Sequence, residues 1–305
     1  MRAVVLATVV GLLLAGAYWG APDVIRDPYS PLEAYQQSLT PQRDAPGGPA
    51  ARAESPPALT GALGRAIGEI VGRAEGTYGV LIRVVESGQE VAINGDRPFM
   101  AASCYKIPLA LYLYELAAAD AICLEETIQH REDHYVDGAG ILQGREPGEH
   151  YSLRYLAKLS LRDSDNIAAS MLLERLGMEE FKRYQRGLGA TSVPPDENLA
   201  SPRDVARFLE VLLILHSRHE ENYTDILEAL ETAYPRDRIP AGVPASLKVA
   251  SKTGTWPGTI NDAAILFYPH ATVILVVMSE GVPSYGAGSS VIARIASVLH
   301  DKLSH

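Results

Sequence analysis

The sequence predicts an α/β protein of the α+β kind, in which an antiparallel sheet is flanked by terminal helices and an all-helical lobe is inserted between its strands. Three observations predict it. Near the start of the patterned region, Tyr78, Val80, Ile82 and Val84 alternate with the period of a half-buried strand. Ser87-Gly88 then supplies a turn, and Val91 and Ile93 continue on a second strand. Near the far end, apolar runs at 247–251, 263–268 and 272–279 read as three more strands. Between these groups, residues 103–217 carry helical spacing, broken by loops at Asp137-Gly138-Ala139-Gly140 and from Gly144 to Gly148. Strands contributed by both ends must meet in one sheet, so the junction of sheet and helical lobe is the natural place for a cleft.

The flanking elements follow in order. Leu63, Ile67, Ile70, Val71 and Ala74 recur at helical spacing and define a first amphipathic helix. Ile107, Leu109, Ala110, Leu111, Leu113 and Leu116 describe a helix apolar on nearly all sides, which must be buried. A last helix over about 289–303 places Val291, Ile292, Ile295, Val298 and Leu299 on one face. The run Lys182-Arg183-Tyr184-Gln185-Arg186 reads as a solvated helix face.

Ahead of this domain, Arg2 is followed by 19 uncharged residues, 3–21. Ala15-Gly16-Ala17 offers a small-residue cleavage site, so the segment reads as a secretory signal. Its length also nearly suffices to span a bilayer, with Tyr18 and Trp19 at the interface, and the two readings weigh equally. Residues 22–57 hold eight of the 20 prolines and read as a linker, which leaves 58–305 as one catalytic-sized domain. The expected location is therefore outside the cytoplasm, periplasmic or extracellular, either free or anchored.

The net charge of −10, without a basic patch, excludes nucleic acid as a partner. The two cysteines, Cys104 and Cys123, would lie about 25 Å apart if one helix runs from 103 to 119. A disulfide tolerates a Cα separation of at most ~7 Å, so both are expected to be buried thiols. His130 and His134 stand at i, i+4, but no third metal ligand follows, so a solvated loop is expected and no metal or other cofactor is called for.

Three strings carry the chemistry: Ser103-Cys104-Tyr105-Lys106, Ser164-Asp165-Asn166 and Lys252-Thr253-Gly254. A serine hydroxyl needs a base within hydrogen-bond reach. Lys106 stands three residues on from Ser103, on the same helical face, and desolvation beside a second cation, Lys252, would lower its pKa enough to serve. Each three-residue string should arise by chance in only about one chain in ten or twenty, so all three in order are not a coincidence of composition. Only six lysines occur in the chain, and two of them fall in these strings.

The ordered set resembles the penicillin-recognising serine hydrolases, in which class A β-lactamases and penicillin-binding proteins carry S-x-x-K, S-D-N and K-T-G. The resemblance extends through Gly258-Thr259 and Asn261-Asp262 after the third string, and over Asn94 to Ala102 before the first, covering roughly 58–305. It implies a β-lactamase/transpeptidase-like fold and a set of roles. Ser103 would be the nucleophile, Lys106 the acylation base, and Ser164 the proton relay to the leaving nitrogen. Asn166 would hold the substrate's side-chain amide, while Asp165 braces its loop. Lys252 would supply positive charge, and Thr253, Gly254 and Thr255 would form the wall that binds the substrate carboxylate. The backbone N–H groups of Ser103 and Thr255 would form the oxyanion hole. Tyr135 would be the aromatic wall of the cleft, or else a half-buried loop tyrosine.

One element of the family is missing. The E-x-x-L-N string, whose glutamate activates the deacylating water in class A enzymes, does not occur. Ser164 and Lys252 are separated by too few residues, and the deficit falls between Gly189 and Leu199. Asp196 and Glu197 are the only carboxylates there, so Glu197, with Asn198, is either the substitute base or part of an exposed turn. No arginine appears from Lys252 to Ser279, where family members place one for the substrate carboxylate. The expected substrates are β-lactam antibiotics or D-alanyl peptidoglycan peptides, handled by a monomer. A hydrolase that opens the β-lactam amide, a D-alanyl carboxypeptidase or transpeptidase, and an anchored β-lactam sensor all share the acylation step. A serine glutaminase of the same fold is a more distant alternative.

Overall fold

The computed structural model describes Leu59 and residues 61–304. The segments 1–21 and 22–57 read above as signal or anchor and linker lie outside the described residues. Among the described residues no helix is long and apolar enough to cross a membrane.

A five-stranded sheet organises the molecule. Its strands are β1 (Thr77–Val84), β2 (Glu90–Ile93), β7 (Lys248–Trp256), β8 (Thr259–Tyr268) and β9 (Ala271–Glu280), in the spatial order β2-β1-β9-β8-β7. Every neighbouring pair is antiparallel, so strands from both chain ends share one sheet. The predicted hairpin has Val80 opposite Ile93 and Ile82 opposite Val91. The later strands run longer than their apolar cores suggested. β7 continues past Ser251 because Lys252, Thr253, Gly254, Thr255 and Trp256 remain in the ladder with β8. The polar residues of that stretch hide its strand character from hydropathy.

Helices α1 (Gly61–Arg73) and α8 (Tyr285–Leu303) cover one face of the sheet. Leu63, Ile67 and Ile70 of α1 pack with Ile292, Ile295 and Leu299 of α8 against Val80, Ile82, Leu266 and Val273. α8 starts four residues earlier than its apolar face indicated, because the Ser284 hydroxyl accepts from the Ala287 N–H and caps it.

The other face carries the helical lobe: α2 (Lys106–Ala118), α3 (Leu153–Arg162), α4 (Asn166–Leu176), α5 (Met178–Gly187), α6 (Pro202–Arg218) and α7 (Glu220–Glu231). Short strands β3 (Phe99–Met100) with β6 (Leu199–Ala200), and β4 (Thr127–Gln129) with β5 (His150–Ser152), complete it. α2 runs through the middle with Ile107, Leu109, Ala110, Leu111 and Leu113 all buried, as its all-round apolar sequence requires. Truncating any one of these leucines to alanine is a change that costs about 2–5 kcal/mol in well-packed cores.

Three surface expectations are corrected. Cys104 is buried, but Cys123 is exposed just beyond the end of α2; both are free thiols. Lys182 and Gln185 are buried, since Lys182 Nζ turns inward to the Glu197 carbonyl at 2.7 Å. His130 and His134 are also buried, their rings stacked 6.4 Å apart.

Candidate active site

The chain reaches Ser103 through a strained approach. Ala102 has φ 47°, a left-handed conformation rare for any residue with a side chain. Three hydrogen bonds hold the segment there. The Ala101 N–H donates to the Asn198 carbonyl (2.8 Å), Asn198 Nδ2 donates to the Ala102 carbonyl (3.0 Å), and Asn261 Nδ2 donates to the Met100 carbonyl (2.8 Å). Residues Ala102–Tyr105 then form a 3₁₀ turn that leads into α2. The Lys106 backbone N–H closes the turn on the Ser103 carbonyl, and residues three apart in such a turn share a face.

The second string forms the tight turn between α3 and α4. Ser164 has φ 55°, and Asp165 caps α4 by accepting from the Ala168 N–H at 2.9 Å. The other carboxylate oxygen of Asp165 accepts from the Leu142 N–H at 2.8 Å, tying the 137–144 loop to the helix. That loop passes so close that a side chain at Gly140 would meet Asp165 Cγ at 2.3 Å, and the chain carries glycine there in a left-handed conformation. Asn166 is fixed by its Nδ2 on the Asp137 carbonyl at 2.8 Å.

The third string lies on β7, against the 3₁₀ turn. A Cβ at Gly254 would stand 2.9 Å from the Ala101 carbonyl oxygen, so only glycine lets the strand approach. Lys252 is buried and donates to Ser164 Oγ (3.0 Å) and the Thr253 carbonyl (3.0 Å). Lys106, also buried, donates to the Ser164 carbonyl (2.6 Å) and to Asn166 Oδ1 (2.8 Å). The three strings are therefore one cluster, with Ser164 between two lysines.

Burial governs the charges. Desolvation pushes the Lys106 amine well below the usual lysine range; the neighbouring Lys252 cation pushes the same way and Asp165 partly opposes. Lys252 is lowered to about 8, chiefly by desolvation, with Arg238 adding to the fall and Asp262 opposing it. Asp262 is raised to about 6 by burial, against the pull of Arg238. Burial thus favours the neutral form of Lys106. A neutral Lys106 amine has two N–H donors, and its two acceptors use both, so its lone pair is left for a proton.

Arg238 is a residue the sequence did not single out. It is fully buried ahead of β7, donating from Nη1 to the Gly254 carbonyl at 2.8 Å and from Nη2 to Thr255 Oγ1 at 2.5 Å. The search for an arginine on the strands themselves missed it because it arrives from the preceding loop. Its guanidinium lies 5.2 Å from the Tyr285 ring.

A cleft of about 560 Å³ opens beside Ser103, walled by Tyr105, Asn166, Asn198, Thr255 and Trp256. Tyr135 is 59% exposed, and its neighbour Val136 lines the cleft instead. From the shortened 189–200 loop the wall takes Asn198 but not Glu197, whose side chain is exposed. The loop is short because Asp204 gathers its base: its carboxylate accepts from the Thr191, Ser192 and Ser201 N–H groups. A second hollow of about 540 Å³, between the end of α2 and α7, contains none of these residues.

Comparisons with known proteins agree with this geometry. The model of the β-lactamase enzyme family matches residues 62–303. A relative, β-lactamase ROB-1 of Haemophilus influenzae, is 29% identical over 220 residues, covering 66% of this chain and 71% of its own. The crystal structure of a β-lactamase from Sphaerobacter thermophilus superposes with a TM-score of 0.73 at 28% identity, over 81% of this chain and 98% of that one. The structure of PBP-A superposes at 0.75 with 23% identity, over 82% and 98%, a likeness of fold. The matched region contains the whole cluster of Ser103, Lys106, Ser164, Asn166 and Lys252, and the chain belongs to the β-lactamase enzyme family.

Proposed function

We propose that this serine hydrolase opens the amide bond of β-lactams by forming an acyl-enzyme on Ser103, and that it releases the acyl group more slowly than it forms it. One observation carries the reading: a buried Lys106, its amine pushed well below the usual lysine range and held by the Ser164 carbonyl and Asn166, one turn on from Ser103. Lys106 takes the Ser103 proton as Oγ attacks the lactam carbonyl. The C–N bond then breaks, and the nitrogen receives a proton from Ser164, whose oxygen already accepts from the Lys252 cation. The Ser103 and Thr255 N–H groups stabilise the oxyanion. Thr253, Thr255 and Arg238 behind it hold the substrate carboxylate, Asn166 its side-chain amide, and Val136 and Trp256 stand at the mouth. Slow release follows from the 189–200 loop, which offers the cleft an amide, Asn198, in place of a carboxylate.

The same absence favours a second reading, a penicillin-binding D-alanyl carboxypeptidase or transpeptidase, in which the ester passes to another acceptor. The apolar N-terminal segment supports a location outside the cytoplasm, where either substrate is met. The test uses purified protein with a chromogenic cephalosporin and a fluorescent penicillin. Hydrolysis continuing beyond one equivalent, with label that decays over minutes to hours, is the expected result. A single equivalent with permanent label would favour the second reading, and labelling that survives Ser103→Ala would end both.

A further inference from the structure

The cleft does not stop at Asn166. It continues along α4, where Ser170 and Glu174 follow Asn166 at i+4 and i+8 on one face, and Leu173, Gly177 and Met178 complete the wall. Eight residues of helix span about 12 Å. That distance is too great for Glu174 to share a water with the ester at Ser103. Helical side chains all lean toward the N-terminus, so Asn166 and Glu174 shift alike and the interval between the two polar groups stays about 12 Å. Met178 and Trp256, both about half exposed, and Val136 at 41% make the space between them apolar on its sides.

The far end is negatively charged by construction. Glu174 Oε2 accepts from Arg131 Nη2 (2.5 Å) and from His134 Nε2 (2.7 Å). His134 Nδ1 accepts from the Arg131 backbone N–H at 3.0 Å, which leaves Nε2 to face Glu174. Arg131 also serves Asp133, through Nε at 3.0 Å and Nη2 at 3.1 Å. One guanidinium therefore faces two carboxylates, and both donors to Glu174 use the same oxygen. Hydrogen bonding from Arg131 holds the Glu174 carboxyl below its usual range, so it is ionised at neutral pH.

We propose that Glu174 is a specificity-determining residue of an extended acyl-side subsite, one that favours substrates whose side-chain amide continues through a short apolar chain to a primary ammonium. A six-carbon chain, extended to about 7 Å, with a hydrogen bond of about 3 Å at each end, spans the interval between Asn166 and Glu174. The inference rests on acylation at Ser103 by a β-lactam and names the class of substrate that the cleft selects.

The test compares two penicillins made by acylating 6-aminopenicillanic acid, one with 6-aminohexanoic acid and one with hexanoic acid. Second-order acylation rates are measured by mass spectrometry on the full chain and on Glu174→Gln and Glu174→Asp. The amino compound is expected to react about three- to fivefold faster, the range of one partly exposed ion pair. The ratio should fall to about one in Glu174→Gln, recover in part in Glu174→Asp, and shrink for the unmodified chain in about 0.5 M salt. The ratio is internal to each protein, so a variant that folds less well scales both rates and leaves it intact. A ratio of one in the unmodified chain, or the same ratio in Glu174→Gln, overturns the proposal. If neither penicillin acylates Ser103, the acylation reading itself fails and takes this inference with it.

Discussion

The two sides of the cleft are built by opposite means. On the sheet side, Lys106, Ser164 and Lys252 are buried, and each lysine meets two acceptors. On the loop side, residues 189–200 are held through backbone groups and the Asn198 amide, and their carboxylates, Asp196 and Glu197, are exposed. Desolvation is what converts an ordinary lysine into a base, whereas a solvated carboxylate can order a water only if the loop brings it to the ester. The difference teaches that acyl-enzyme formation and release are separable inventions on one scaffold, and that this chain has invested in the first.

Four measurements break or sharpen that contrast. Replacing Lys106 or Lys252 with alanine should slow acylation by about 10²–10⁴-fold, the range of a lost proton-transfer group, measured as the rate of penicillin labelling. A loss under tenfold for Lys106→Ala would remove it as the base. The pH profile of acylation should fall above about pH 8, tenfold per unit, as Lys252 loses the proton that positions Ser164. The sign for stability is opposite. Because the folded pKa of Lys252 lies below its unfolded value, the fold binds fewer protons between about pH 8 and 10.5, and this group's contribution to stability rises with pH across that window. Gly254→Ala should cost about 1–3 kcal/mol in denaturant unfolding, since the new Cβ meets the backbone carbonyl of Ala101. The smallest effect belongs to the loop: Glu197→Gln should change deacylation by less than about twofold, far below the factors a positioned base contributes. A tenfold fall in deacylation would restore Glu197 as that base and erase the contrast.

The sequence displayed the sheet side almost completely, because its residues are the motif strings and the strands around them alternate in the ordinary way. Gly254 and Asn261 belong to the same readable stretch. What it hid are residues whose partners come from distant parts of the chain. Arg238 sits in an irregular loop and acquires meaning only when that loop carries it under β7. Glu174 resembles any exposed helical glutamate until Arg131 and His134 are folded against it. Lys182 and His134 look solvated in the sequence because their partners, the Glu197 carbonyl and the Glu174 carboxylate, lie 15 and 40 residues away. Strand ends are hidden for a local reason: Asn261 points its amide at the carbonyls of Met100 and Ala101 before Ser103, and hydropathy cannot tell such a contact from solvent.

The placement of Ser164 between two lysines has a further consequence. Lys106 comes from the helical lobe and Lys252 from the sheet, and each is desolvated only when the two halves have docked. A chain with either half unfolded would therefore keep both amines hydrated and protonated, and Ser103 inert. Covalent capture by a penicillin thus counts natively assembled molecules, so the reaction itself serves as a titration of the folded population.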